Sequence, residues 1–139
     1  MDILRPMSGN PADYDSLKAG DEFPPSPFTL DATAVSNYRK AVGDDNFSKE
    51  NMVPPTALAA RAMAALAGAF TVPPGTIHVS QEMEFKKAVA VGESLISCSR
   101  VERKQERGKF NMLSISILVC NDKNETVMSG KISFILPLD

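Results

Sequence analysis

Histidine is nearly missing from this chain of 139 residues: His78 is the only one, and Cys98 and Cys120 are the only cysteines. One histidine and two separated cysteines make no transition-metal site unless carboxylates supply most of the ligands, so no metal is expected. The cysteines are too far apart for a CxxC redox or zinc motif, and each falls in an alternating apolar segment. Buried, reduced thiols of a cytosolic protein are the expectation. A charged region followed by an apolar run is absent from the N-terminus, and nothing approaches the apolar length of a membrane span. The chain therefore reads as cytoplasmic with no membrane partner. An excess of positive charge is lacking too: formal net charge is −2 with both signs mixed. That argues against a general phosphate-backbone binder, and so against nucleic acid as a partner.

What is present suits one domain over residues 1–139, with one core and a one-layer sheet packed on helices. Residues 1–16 are polar, carry Pro6 and Pro11, and read as an extended arm. Pro24, Pro25 and Pro27 confine any strand near Leu30 to an edge or to short length, because proline donates nothing to a ladder. Asp31 offers a cap, and Val35, Tyr38 and Val42 make one apolar stripe on a short helix that Gly43 ends. A polar loop follows, from Asp44 to Asn51. Pro54-Pro55-Thr56 starts a second helix running to Phe70, alanine-rich and apolar nearly all round apart from Arg61. Such a helix is normally buried.

From Thr76 the period becomes two. Ile77 to Phe85, a weaker Leu95 to Val101, then Leu113 to Val119 and Met128 to Leu136 read as four antiparallel strands, with hairpin turns at 106–108 and 121–124. Helices first and sheet afterwards is α+β. Along the first of these strands Ile77, Val79, Gln81, Met83 and Phe85 are expected on one face, and His78, Ser80, Glu82 and Glu84 on the other. On this reading His78 and Gln81 cannot share a pocket without a bulge, and Gln81 braces the central helix.

Five segments resemble, in order and spacing, the MaoC-like hydratase and dehydratase family, in particular the N-terminal half of its double-hotdog dehydratases. They are Leu17-Lys18-Ala19-Gly20-Asp21, Tyr38 to Asn46, Val53-Pro54-Pro55-Thr56, Ile77 to Phe85, and Val89-Ala90-Val91-Gly92-Glu93. The resemblance implies a single hotdog domain, an antiparallel sheet wrapped around a long central helix. It also implies an acyl-thioester substrate carried on coenzyme A or acyl carrier protein, no other cofactor, and a homodimer or a heterodimer with a second hotdog chain. The chain departs from the family's Asp–His loop: Asp44 and Asn46 match, but Phe47 stands for proline and Lys49 for histidine.

Enoyl-thioester hydration, or the reverse dehydration, needs an acid or base and donors for charge growing on the thioester oxygen. By resemblance Asp44 and His78 are the catalytic candidates; the plainer readings are a loop cap shared with Asp45 and a structural strand histidine. Asn46, Thr56, Ala57, Gln81 and Lys87 are the substrate-binding candidates, with the amides at Thr56 and Ala57 either polarising the thioester or forming an ordinary helix start. Lys86, Lys87, Arg100, Arg103, Lys104, Arg107 and Lys109 either receive a phosphate or an acidic carrier, or form a solvated surface interleaved with Glu102 and Glu106. The leading expectation is a hydro-lyase or a subunit of one. The rival is a non-catalytic hotdog partner, motivated by Lys49. A thioesterase ranks last, since Ala57 to Phe70 has no acidic residue.

Overall fold

The computed structural model describes residues 11–44 and 51–137. Of the arm expected over 1–16, the described part packs onto the body instead of extending from it. β1 (Ala12–Asp13) runs into a 3₁₀ turn at Tyr14–Ser16, and Tyr14 and Leu17 are buried. Lys104 holds this turn: its ammonium donates to the carbonyls of Tyr14 (2.8 Å) and Leu17 (2.9 Å) and lies 4.4 Å from the Tyr14 ring centre. Burial, then the nearby charges of Asp15 and Glu106, push the Tyr14 phenol up.

β2 (Ser26–Phe28) is three residues long, as its prolines require. α1 (Ala32–Val42) starts where the Asp31 carboxylate accepts the Ala34 N–H at 2.8 Å. It stops at Gly43, whose φ of +71° suits a residue without Cβ. The expected stripe needs one correction. Val35 is buried, but Val42 is 56 % exposed and Arg39 takes its place inside at 7 %.

α2 (Pro55–Ala67) opens with proline in its first turn, where a missing N–H costs nothing, and buries Ala57, Leu58, Ala59, Ala62, Ala65 and Leu66. It ends three residues before the expected Phe70. Gly68 closes it, the Ala69 carbonyl accepts the Ala12 N–H at 3.0 Å, and Phe70 enters β3 (Phe70–Thr71), parallel to β1.

Four longer strands complete the molecule: β4 (Ile77–Phe85), β5 (Leu95–Arg107), β6 (Phe110–Asn121) and β7 (Thr126–Pro137). The sheet order is β2-β5-β6-β7-β4, antiparallel throughout. Its inner face sets Val101, Leu113, Ile115, Val119, Met128 and Ile132 in one fully buried core with Leu58, Ala62 and Leu66 of α2. The class is α+β as expected.

The thiols do not follow the expectation of burial. Cys98 is exposed and Cys120 half-buried. Leu95 and Val101 take the inside, so alternation carries Ser97 and Ser99 inward with them and turns Cys98 out with Ile96. Among the described residues, no helix is long and apolar enough to cross a membrane.

Candidate functional site

Asp44 follows the left-handed turn at Gly43, its N–H donating to the Arg39 carbonyl at 2.9 Å. Its carboxylate lies 4.0 Å from the Arg39 guanidinium, which is buried and also donates to the Met52 carbonyl at 3.3 Å. One cation thus joins the end of α1, Asp44 and the segment leading into α2. Met52 is in turn bridged to Ala90, with Val53 N–H to Val89 C=O at 2.8 Å and Val91 N–H to Asn51 C=O at 2.9 Å. Arg39 is absent from the candidates drawn from the sequence. Asn46 and Lys49, with Asp45 and Phe47, lie outside the described residues.

The start of α2 is fixed to α1 by Tyr38, whose hydroxyl donates to Thr56 Oγ1 at 2.5 Å. Pro54 and Pro55 have no N–H, and the Ala57 N–H goes to the Pro54 carbonyl at 2.9 Å. Of the two amides expected to polarise a thioester, Ala57's is therefore occupied and Thr56's is the foremost donor of the helix.

His78 lies elsewhere. Its ring centre is 5.2 Å from that of Phe134, which is 6.1 Å from that of Phe70, three residues past the end of α2. Asp44 is tied to the start of the same helix. A helix of 13 residues is about 20 Å long. Within one chain Asp44 and His78 are thus not brought together.

The strand face of His78 needs a second correction. The register of β4 against β7 shifts between His78 and Ser80, so Val79 is an extra residue. Past this bulge the alternation inverts: His78 sits opposite Phe134, Gln81 opposite Ile132, Met83 opposite Gly130 and Phe85 opposite Met128, all on the helix-facing side. Ile77, expected with Gln81, faces outward with Ser80, Glu82 and Glu84. His78 and Gln81 share one face.

Most of the described basic set is occupied within the chain. Lys87 pairs with Glu125, Lys86 with Glu84 at 3.7 Å, Arg100 with Glu102 at 3.8 Å, and Lys104 holds carbonyls. This favours the solvated-surface reading, and Lys87 is drawn toward the β6–β7 turn. Arg61, the one charge on α2, has its guanidinium carbon 4.9 Å from the Phe28 ring centre. Its Nε is buried without a partner, and burial pulls its pKa down. Two sizeable cavities lie away from these candidates. One of 440 Å³ is lined by Asp13, Tyr14, Thr71 and Asn111, and one of 460 Å³ by Phe23, Cys98, Arg100 and Leu118. Neither contains Asp44, Thr56, His78 or Gln81. Among the described residues no cluster of histidine, cysteine and carboxylates is placed to hold a metal.

One sheet wrapped on one central helix is the hotdog fold, and solved structures share it. An R-hydratase, PhaJ1 from Pseudomonas aeruginosa in unliganded form, superposes with a TM-score of 0.76 at 20 % identity, over 91 % of this chain and 86 % of its own. The C-terminally truncated HadBC complex of Mycobacterium tuberculosis, a 3R-hydroxyacyl-ACP dehydratase, gives 0.71 at 21 % identity over 84 % and 96 %. A MaoC-like dehydratase from Rhodospirillum rubrum gives 0.69 at 15 % identity over 91 % and 97 %. The class is thus a hotdog-fold protein. Residues 18–130 match the family described as FAS1-like, dehydratase domain region, and the chain belongs to it. A search of curated proteins finds no match.

Proposed function

We propose that this chain is an acyl-thioester hydratase or 3-hydroxyacyl dehydratase, or a subunit of one, with Asp44 as the group that moves the proton of water. The observation that supports the reading is the buried Arg39, which lies 4.0 Å from the Asp44 carboxylate and donates to the carbonyl of Met52, three residues before α2. In hydration Asp44 takes a proton from water, the water oxygen bonds to the β-carbon, and the α-carbon receives a proton. The charge that gathers meanwhile on the thioester oxygen is met by the Thr56 amide. The substrate arrives on coenzyme A or acyl carrier protein, and the reaction as proposed uses no other cofactor.

The test is loss of enoyl-thioester absorbance on addition of enzyme, over short and medium enoyl-CoA substrates. Asp44→Asn is expected to lower kcat/KM by about 10²–10⁴-fold with folding intact. No hydration of any of these substrates, alone or with a second hotdog chain, counts against the proposal. Lys49 in the position of the family's histidine favours one rival, a binding partner for a catalytic hotdog chain; HadBC is itself a complex. That rival requires Asp44→Asn to leave the activity of such a pair unchanged.

A further inference from the structure

Arg61 is the one charged residue on α2, and the reaction proposed above gives it no task. One turn to either side of it the helix carries Ala57, Leu58, Ala64 and Ala65. The side chain is half-buried, its guanidinium carbon lies 4.9 Å from the Phe28 ring centre, and its Nε is sealed from water with no hydrogen-bond partner. Among the described residues no carboxylate pairs with it, since the ion pairs take other cations. Phe28 offers the charge a π face but no oxygen for the N–H groups. A cation drawn out of water with a donor unmet costs free energy, which a ligand bearing acceptors would offset.

Arg61 reaches toward the end of α2 that carries Thr56. Side chains on a helix lean toward its N-terminus, so Arg61 covers the turn that begins at Ala57. Phe28, which receives the guanidinium, lies two residues before Leu30, whose carbonyl accepts the Gly92 N–H at 2.9 Å. Val91 N–H donates to the Asn51 carbonyl at 2.9 Å, and the next residue, Met52, takes Arg39 beside Asp44. Along the helix axis Thr56 and Arg61 are about 7.5 Å apart, and the lean shortens that.

We propose that Arg61 sets the substrate class: the acyl group is short and carries a second carboxylate at its far end, which the Arg61 guanidinium receives. The inference rests on the hydratase reading above, with Asp44 and the Thr56 amide acting at the thioester end. Two carboxylate oxygens match two parallel N–H groups of the planar fork. The match is to a single charge, because α2 places no second cation beside Arg61 to meet a phosphate. A plain hydrocarbon chain ending there leaves Nε unpaired and is disfavoured.

The test compares coenzyme A thioesters that differ only at the far end. Fumaryl and crotonyl groups share length and double bond, and one has a carboxylate where the other has a methyl. Wild type is expected to hydrate the fumaryl thioester with kcat/KM about 10–100-fold higher relative to crotonyl than Arg61→Gln does. Arg61→Lys keeps the charge without the fork and should retain part of that preference. Both rates are read on one preparation, so a loss of folded protein lowers them together and leaves the ratio as it was. The carrier phosphates are also common to both, so an Arg61 that binds the carrier leaves the ratio unchanged and overturns the assignment. Binding is measured apart from chemistry with succinyl and butyryl thioesters, which have no double bond to hydrate. Calorimetry is expected to give succinyl the lower Kd in wild type, with the difference lost in Arg61→Gln. Equal Kd values, or binding of neither, overturn the carboxylate site. If no enoyl thioester is hydrated but the Kd difference is found, the hydratase reading fails and the carboxylate site stands. If hydration proceeds without it, the carboxylate site fails alone.

Discussion

Arg39 is a cation withdrawn from water, with a side chain 8 % exposed against 38 % for Asp44. Its attraction to a carboxylate in such contact with solvent is screened, so the hydrogen bond to the Met52 carbonyl and the burial of its stem matter more. Arg39→Met is expected to destabilise the fold by about 1–3 kcal/mol, since a half-buried acceptor loses its donor, read as a lower denaturation midpoint. Arg39→Lys is expected to recover only part of this, because one ammonium does not reproduce a planar fork spanning two acceptors. At Gly130 the pressure is steric. A Cβ there would overlap the Met83 sulfur and lie 2.8 Å from the Glu82 carbonyl, so Gly130→Ala is expected to cost about 1–3 kcal/mol as an overpacked site. Truncating Met83 in the same chain should relieve only the side-chain part, which a double-mutant cycle measures. Neither residue was legible as a site in the sequence. Arg39 reads as a polar member of a helix end, and its burial depends on Met52, a contact across the loop.

The elements were legible where local chemistry decides them and obscure where long-range pairing does. Asp31, Gly43, Pro55 and the proline-glycine turn at 73–75 mark their boundaries in the sequence, and the inner row of β6 alternates as expected. The end of α2 depends on β1 taking Ala69 and Phe70 into a ladder, which no local signal announces. The bulge at Val79 is set by pairing with β7 and reversed the face given to His78. The β6–β7 turn carries its own prediction. Hydrogen bonds from Lys87 first, and then from Asn121, hold the Glu125 carboxyl below the usual range. A lowered folded-state pKa stabilises the fold above the unfolded value, and that contribution disappears as pH falls through the folded one. Melting temperatures of wild type and Glu125→Gln are therefore expected to differ at neutral pH and to converge in acid. A constant gap down to strongly acidic pH would remove the carboxylate from this role.

At the scale of the whole molecule the two edges of the sheet are treated differently. β2 is three residues long and flanked or interrupted by Pro25 and Pro27, which blunts it against further pairing. β4 is nine residues long, contains no proline and exposes Ile77 and Val79 at the end that bears His78. A long, partly apolar edge of this kind recruits another strand. Because both side chains are already exposed in the single chain, replacing them loads the assembly and spares the fold. Ile77→Lys with Val79→Lys is expected to change the stability of the chain itself by no more than about 0.5 kcal/mol per site. Sedimentation should nonetheless pass from dimer to monomer, with the far-ultraviolet spectrum retained. A double variant that sediments as a dimer would place the assembly on another surface.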